Sequence, residues 1–120
     1  MPIDAYAKED ILTIRVLDER LVEPEQLKRL FDDLQTLLGK SDEQQVILDF
    51  APVRFMASAM LSKLVAFQKK CQEFRAKLKL CSVDPQIQEV FRITKLNKVF
   101  DIQPDEPTAR KSFSKRGFFG

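Results

Sequence analysis

Apolar and polar residues alternate with a period of two near the beginning of the chain. Residues 11–17, ILTIRVL, carry β-branched and apolar side chains in this alternating pattern, which predicts a strand with one strongly apolar face. The preceding residues 3–7 predict a partner strand, with a turn at residues 8–10. We therefore expect the chain to begin with a β-hairpin.

Helical spacing replaces this alternation in three later segments. Residues 23–40 place apolar side chains at helical spacing, with Pro24 near the start of the helix and Gly39 at its end. Residues 58–75 follow the same spacing, with lysines on the other side. The third segment opens with Asp84 as a candidate N-cap, followed by a proline in the first helical position. These patterns predict three helices.

Shorter apolar runs between the helices predict further strands at residues 44–50 and 77–83, and an edge strand at residues 99–102. Strands that alternate with helices are typical of βαβ units with right-handed crossovers. The sequence therefore predicts one α/β domain over residues 1–120, with a mixed sheet of four or five strands and about four helices. We expect its last part, residues 107–120, to form a short helix and a frayed basic tail.

Composition narrows the classes of function. The 120 residues are 44% hydrophobic and 32% charged, and the formal net charge is +2. This balance allows a packed core and lacks the basic excess that favours a nucleic acid partner. The N-terminal residues do not resemble a signal peptide, and no apolar run approaches the length needed to span a membrane. We expect a cytoplasmic protein that binds neither nucleic acid nor membrane.

The residues that usually carry catalysis or bind metals are sparse. Histidine is absent, which removes the commonest general base and a frequent metal ligand. Cys71 and Cys81 lie in apolar surroundings without metal or redox spacing, so we expect two buried thiols. Asp49 ends a buried strand and is expected to cap the loop before Pro52. The sequence thus predicts no catalytic residue, no cofactor and no metal.

Ser58 lies where a strand pattern gives way to a helical one, at the sheet edge where α/β proteins commonly meet ligands and partners. One interpretation is structural: its hydroxyl accepts a hydrogen bond from the backbone N–H of Met60 or Leu61 and contributes about 1 kcal/mol. The other is functional: a phosphate on Ser58 places about two negative charges on an apolar partner-binding surface and repels the partner. We expect six residues to form this surface: Phe55, Met56, Ala57, Ser58, Ala59 and Met60.

At these residues the sequence resembles the STAS domain, which occurs in anti-sigma factor antagonists and in the cytoplasmic parts of sulphate transporters. The resemblance rests on residues 46–102. The family pattern Asp-Ser-Ser/Thr-Gly at the start of a helix corresponds here to Ala57, Ser58, Ala59 and Met60, and Ser58 falls on the serine that is phosphorylated in the family. The resemblance implies a bacterial binding module whose partners are an anti-sigma factor serine kinase and a PP2C-type phosphatase.

Other interpretations remain open. STAS domains also serve as scaffold subunits that are not phosphorylated, or as sensors of small ligands such as nucleotides or lipids. An enzyme is a third alternative, but Ser58 has no histidine to act as its base. The basic residues at 110–116, interleaved with Phe113, are expected to form a solvated and partly disordered tail. The oligomeric state stays open, a homodimer included.

Overall fold

The computed structural model describes residues 3–119, with side chains as far as Phe113. Within this range the strands are β1 Ile3–Lys8, β2 Ile11–Val16, β3 Arg20–Leu21, β4 Gln45–Asp49, β5 Phe55–Met56, β6 Lys77–Cys81 and β7 Asp101–Gln103. The α-helices are α1 Pro24–Lys40, α2 Ala59–Glu73, α3 Pro85–Ile93 and α4 Glu106–Phe119.

Five strands form the main sheet in the spatial order β1, β2, β4, β6, β7. β1 runs antiparallel to β2, and every other neighbouring pair in this sheet is parallel. The parallel pairs follow from helices that carry the chain back across the sheet between consecutive strands. The predicted mixed α/β fold is confirmed.

The predicted hairpin between β1 and β2 is also confirmed. It turns at Glu9 and Asp10, whose φ angles are 56° and 65°. A two-residue type I′ turn requires positive φ at both central positions, and its twist matches that of the strands it joins. Lys8 and Ile11 consequently face each other directly across the turn.

The sheet has a buried cluster on each face. Ile14, Leu48 and Leu80, from three adjacent strands, belong to the larger cluster, which also contains apolar residues of α1 and α2. The side chains of neighbouring positions point to the other face. There the smaller cluster joins three strands to α4, through Ile11, Ile47, Cys81, Ala109 and Phe113.

The beginning of α4 corrects the expectation of a solvated basic tail. Phe113 is buried, and the ammonium group of Lys79 lies 4.8 Å from the centre of its ring. Arg110 donates a hydrogen bond of 2.8 Å to the hydroxyl of Thr13 in β2. Because apolar and charged residues both contact the sheet, this part of the helix is docked. The side chains of the tail after Phe113 lie outside the described residues.

Three further differences concern element boundaries. Gly39 lies inside α1, which continues to Lys40 and ends where the N–H of Ser41 bonds to the carbonyl of Leu37. A short 3₁₀ turn at Leu96–Lys98 delays the edge strand β7 by two residues relative to the expected 99–102. The two-residue strands β3 and β5, which the sequence pattern did not predict, form a separate parallel pair.

None of the helices in the described part of the chain has both the length and the apolar character needed to cross a bilayer.

Candidate functional site

The candidate site is built on the small pair of strands β3 and β5. The N–H groups of Arg54 and Phe55 both donate to the carbonyl of Glu19, at 2.8 and 3.1 Å. The N–H of Ala57 donates to the carbonyl of Leu21 at 2.8 Å. These bonds hold the segment before Ser58 against a strand that precedes it by more than thirty residues. We call β3, β5 and residues 57–59 the β3–β5 surface.

Gln26, in the first turn of α1, fixes the position of β3. Its side-chain NH₂ donates to the carbonyl of Arg20 at 2.7 Å and to the carboxylate of Asp18 at 3.0 Å. Its carbonyl oxygen accepts from the N–H of Glu23 at 3.2 Å, which satisfies an orphan donor at the helix start. One side chain thus connects the start of α1 to the strand on which β5 depends.

Ser58 is exposed and lies immediately before α2. The structural interpretation of Ser58 as a helix cap is wrong, because its hydroxyl accepts no hydrogen bond from the first turn of the helix. Its backbone is already helical, with φ −59° and ψ −28°, whereas a capping serine needs an extended backbone. The N–H groups of Met60 and Leu61 bond instead to the carbonyls of Ala57 and Ser58. Within the described residues, the Ser58 hydroxyl therefore takes no part in capping α2.

The residues around Ser58 differ in exposure. The side chain of Phe55 is 48% exposed, and the guanidinium carbon of Arg20 lies 4.7 Å from the centre of its ring. Ala59 is exposed, and Met56 and Ala57 are partly buried. The candidate surface therefore combines an exposed aromatic ring, a cation and small apolar groups around the hydroxyl.

Met60 is a correction to the expected partner surface. Its side chain is fully buried, as is that of Leu64 one turn later. Residues four positions apart share a helix face, and the face that carries Leu64 packs onto the sheet. Met60 therefore belongs to the core and cannot contact a partner in the folded domain.

Asp49 plays the predicted role at the end of β4, and a second role that the sequence did not indicate. One of its carboxylate oxygens accepts from the N–H of Ala51 at 2.9 Å, which confirms the expected cap of the loop before Pro52. The other oxygen lies 3.2 Å from the guanidinium of Arg15 in the neighbouring strand. Both oxygens are thus occupied in holding β2, β4 and the following loop together.

The two thiols are buried, as expected. Burial raises the pKa of Cys71 to about 12. Burial raises the pKa of Cys81 to about 12 as well, and the negative charge of Asp49 acts in the same direction. Both cysteines therefore stay protonated at neutral pH and behave as small apolar side chains.

The sequence of residues 2–109 matches the model of the STAS domain family. The chain belongs to the STAS domain family. A curated relative of this STAS domain is the putative anti-sigma factor antagonist BtrV of Bordetella bronchiseptica, which is 27% identical over 71 residues. That match covers 59% of this chain and 61% of the relative, so it spans less than two thirds of the relative's length.

Solved structures share the fold of this STAS domain. An anti-sigma-factor antagonist STAS domain protein from Planctomyces limnophilus superposes with a TM-score of 0.79 at 19% identity, over 93% of this chain and 97% of its own. The Bacillus cell fate determinant SpoIIAA, in its phosphorylated form, superposes with a TM-score of 0.67 at 14% identity, over 92% and 98% of the two chains. At these identities the likeness establishes the fold, and the family assignment rests on the sequence match.

The sequence pattern did not indicate two residues of the site, Arg20 and Gln26. The two-residue strands that position Arg20 are too short to show a period of two. Gln26 did leave a signal, because it stands three residues after Glu23 at the start of a helix, which is the spacing of a capping box. That signal indicated a capped helix start, but not that the same side chain would hold β3.

Proposed function

We propose that this STAS domain is an anti-sigma factor antagonist that binds an anti-sigma factor serine kinase through the β3–β5 surface. In this proposal the kinase phosphorylates Ser58 and thereby ends the binding, and a PP2C-type phosphatase restores it. The observation that carries the proposal is the exposed hydroxyl of Ser58, which makes no capping bond to α2, together with the exposed ring of Phe55 in the same surface.

The chemistry of the surface supports partner binding. Aromatic residues and arginine are enriched at protein interfaces, and Phe55 and Arg20 lie together here. The small side chains of Ala57 and Ala59 let a partner approach the backbone near Ser58. A partner that covers the β3–β5 surface excludes water from it. A phosphate on Ser58 would then weaken binding, because two negative charges would have to be buried or paired.

The domain itself can accommodate a phosphate at Ser58. No hydrogen bond of the helix start depends on the hydroxyl, so its esterification removes no cap. The first turn of α2 contains no acidic residue, and the helix dipole favours a negative charge near a helix N-terminus. Phosphorylation would thus change the surface without unfolding the domain.

In this proposal the domain is a binding module, and the chemical step belongs to its partners. The kinase binds ATP and supplies the catalytic residues, and the Ser58 hydroxyl oxygen only accepts the γ-phosphoryl group, with ADP as the leaving group. Such a partnership with a sigma factor pathway would place the protein in the cytoplasm.

Phosphorylation can be mapped by incubating the domain with ATP and a candidate anti-sigma factor kinase from the same organism. We expect one phosphate per chain, located on Ser58 by peptide mass spectrometry and absent from Ser58→Ala. Ser62→Ala is a matched control, since Ser62 is exposed one helical turn later, and it should be modified as the wild type is. Modification that persists in Ser58→Ala, or that every such kinase fails to produce, would overturn the proposed switch.

A small-ligand sensor is less well supported. An open groove of about 550 Å³ lies between α3 and β7, and its lining includes Gln88, Glu89, Arg92 and Gln103. A nucleotide or lipid headgroup would need a cation there, but Arg92 already forms an ion pair with Glu89. We therefore favour the protein partner.

A further inference from the structure

β1 forms one edge of the main sheet. It pairs with β2 on one side, and no described strand pairs with its other side. Ile3 is buried, whereas the next five residues, 4–8, are all exposed. An exposed strand edge carries unpaired N–H and C=O groups and can add another strand.

The register of the hairpin shows which backbone groups are free. A two-residue type I′ turn is closed by a hydrogen-bonded pair, here Lys8 and Ile11. Hydrogen-bonded and non-bonded pairs then alternate along the strands, so Asp4, Tyr6 and Lys8 direct their backbone groups to β2. Ala5 and Ala7 must direct theirs away from it, toward the free edge. Both have small, exposed side chains that leave room for a neighbouring strand.

The side chains of this strand form a sequence that complements itself. The pattern of residues 4–8 is symmetric about Tyr6: Ala5 and Ala7 flank the tyrosine, and the ends carry opposite charges, Asp4 and Lys8. When two copies lie antiparallel with Tyr6 opposite Tyr6, each Asp4 faces Lys8 of the other copy. In the same register each Ala5 faces an Ala7, which are the residues whose backbone groups point outward.

We propose that β1 pairs antiparallel with β1 of a second copy of this chain, in the register that places Tyr6 opposite Tyr6. The two Ala5–Ala7 pairs exchange backbone hydrogen bonds, and the two Asp4–Lys8 pairs form ion pairs across the junction. A two-fold axis between the tyrosines generates both halves, as in an isologous dimer. The two five-stranded sheets then become one continuous sheet.

The side-chain environment of β1 favours this arrangement. Tyr6 is held by α4, because its hydroxyl donates to the carboxylate of Glu106 at 3.2 Å and the Arg110 guanidinium lies 5.8 Å from its ring. Its orientation is therefore set before the second copy arrives, which lowers the entropy lost on binding. Asp4 and Lys8 form no ion pair within the described residues, so their charges are available to the second copy. The proposal is independent of the function proposed for Ser58.

A charge-exchange series tests the dimer and its register together. Sedimentation velocity between about 1 µM and about 1 mM covers the affinity expected of a small interface. We expect the wild type to dimerise in this range. Asp4→Lys and Lys8→Asp should each weaken the dimer at least about tenfold, because each places like charges opposite each other twice. The double variant restores opposite charges and should recover the wild-type dissociation constant within about threefold.

A backbone variant provides the second test. Ala7→Pro removes the N–H that points to the free edge, while β1 keeps its bonds to β2, since proline is tolerated on the open side of edge strands. It should abolish the dimer, whereas the matched control Ala7→Ser should retain it, with circular dichroism confirming that both are folded. A wild type that stays monomeric throughout the range overturns the proposal. The proposal is also overturned if the single charge reversals leave the dissociation constant unchanged, or if the double variant does not recover it.

Discussion

The backbone N–H of Ala57 donates a hydrogen bond of 2.8 Å to the carbonyl oxygen of Leu21. This contact joins the loop that carries Ser58 to β3, and β3 is in turn held by Gln26 at the start of α1. The position of Ser58 therefore depends on residues 20–26, which precede it by more than thirty positions in the chain. The contacts between this loop and β3, and not a capping hydrogen bond at the start of α2, therefore hold the hydroxyl in its exposed position.

The first prediction tests whether the hydroxyl of Ser58 stabilises the start of α2 as a cap. Ser58→Ala should change the free energy of unfolding by no more than about 0.5 kcal/mol, because the hydroxyl is exposed and makes no capping bond. Asp84→Ala is the comparison, since Asp84 accepts a hydrogen bond of 2.9 Å from the N–H of Gln86 at the start of α3. Asp84→Ala should lower the free energy of unfolding by about 0.5–2 kcal/mol. Urea unfolding measures both, and a similar loss in the two variants would show that Ser58 is a cap after all.

The second prediction concerns the buried face of α2. Leu64→Ala and Met60→Ala should each destabilise the domain by about 2–5 kcal/mol, because both side chains are fully buried. Lys69→Ala, on the exposed side of the same helix, should stay within about 0.5 kcal/mol of the wild type. Urea unfolding again reports the differences. A Met60→Ala variant as stable as the wild type would show that the Met60 side chain lies at the surface and not in the core.

The third prediction distinguishes the surface from the core at the candidate site. Phe55→Ala should weaken binding to the kinase about tenfold or more, as expected for an aromatic residue central to an interface. Its effect on stability should stay below that of Met60→Ala, because the Phe55 side chain is 48% exposed. Surface plasmon resonance with immobilised kinase measures the first effect. Unchanged affinity would exclude Phe55 from the contact.

The fourth prediction concerns the cysteines. Burial raises the pKa of Cys71 and Cys81 to about 12, so neither thiol supplies a reactive thiolate at pH 8. The folded domain should leave Ellman's reagent almost unreacted, and unfolding in urea should release both thiols at once. Rapid reaction of one thiol in the folded protein would mean that the structure around it, α2 for Cys71 or β6 for Cys81, opens to solvent.

Much of the fold could be predicted because the elements that matter most are long enough to show a period. The hairpin, α1 and the Asp84 cap of α3 all left local signals, in alternation, helical spacing and capping residues. The β3–β5 pair left none, since two residues cannot show alternation and the pairing joins distant segments. The capping interpretation of Ser58 was wrong because its backbone is already helical one residue before α2 begins.

Met60 shows a different kind of error. Its spacing of four from Leu64 was visible in the sequence and places both on one helix face. The prediction of a continuous six-residue surface overrode that periodicity. The phase of the helix was the better guide, because burial follows helix faces and not consecutive positions.

The most direct test of the proposed switch is the affinity of the kinase for three forms of the domain, measured by isothermal titration calorimetry. Wild type and Ser58→Ala should bind equally well, since the hydroxyl adds little to the contact. Ser58→Asp should bind at least about tenfold more weakly, because its charge lies in the desolvated interface, while its circular dichroism spectrum stays that of the wild type. Equal affinity of all three folded forms would contradict the account.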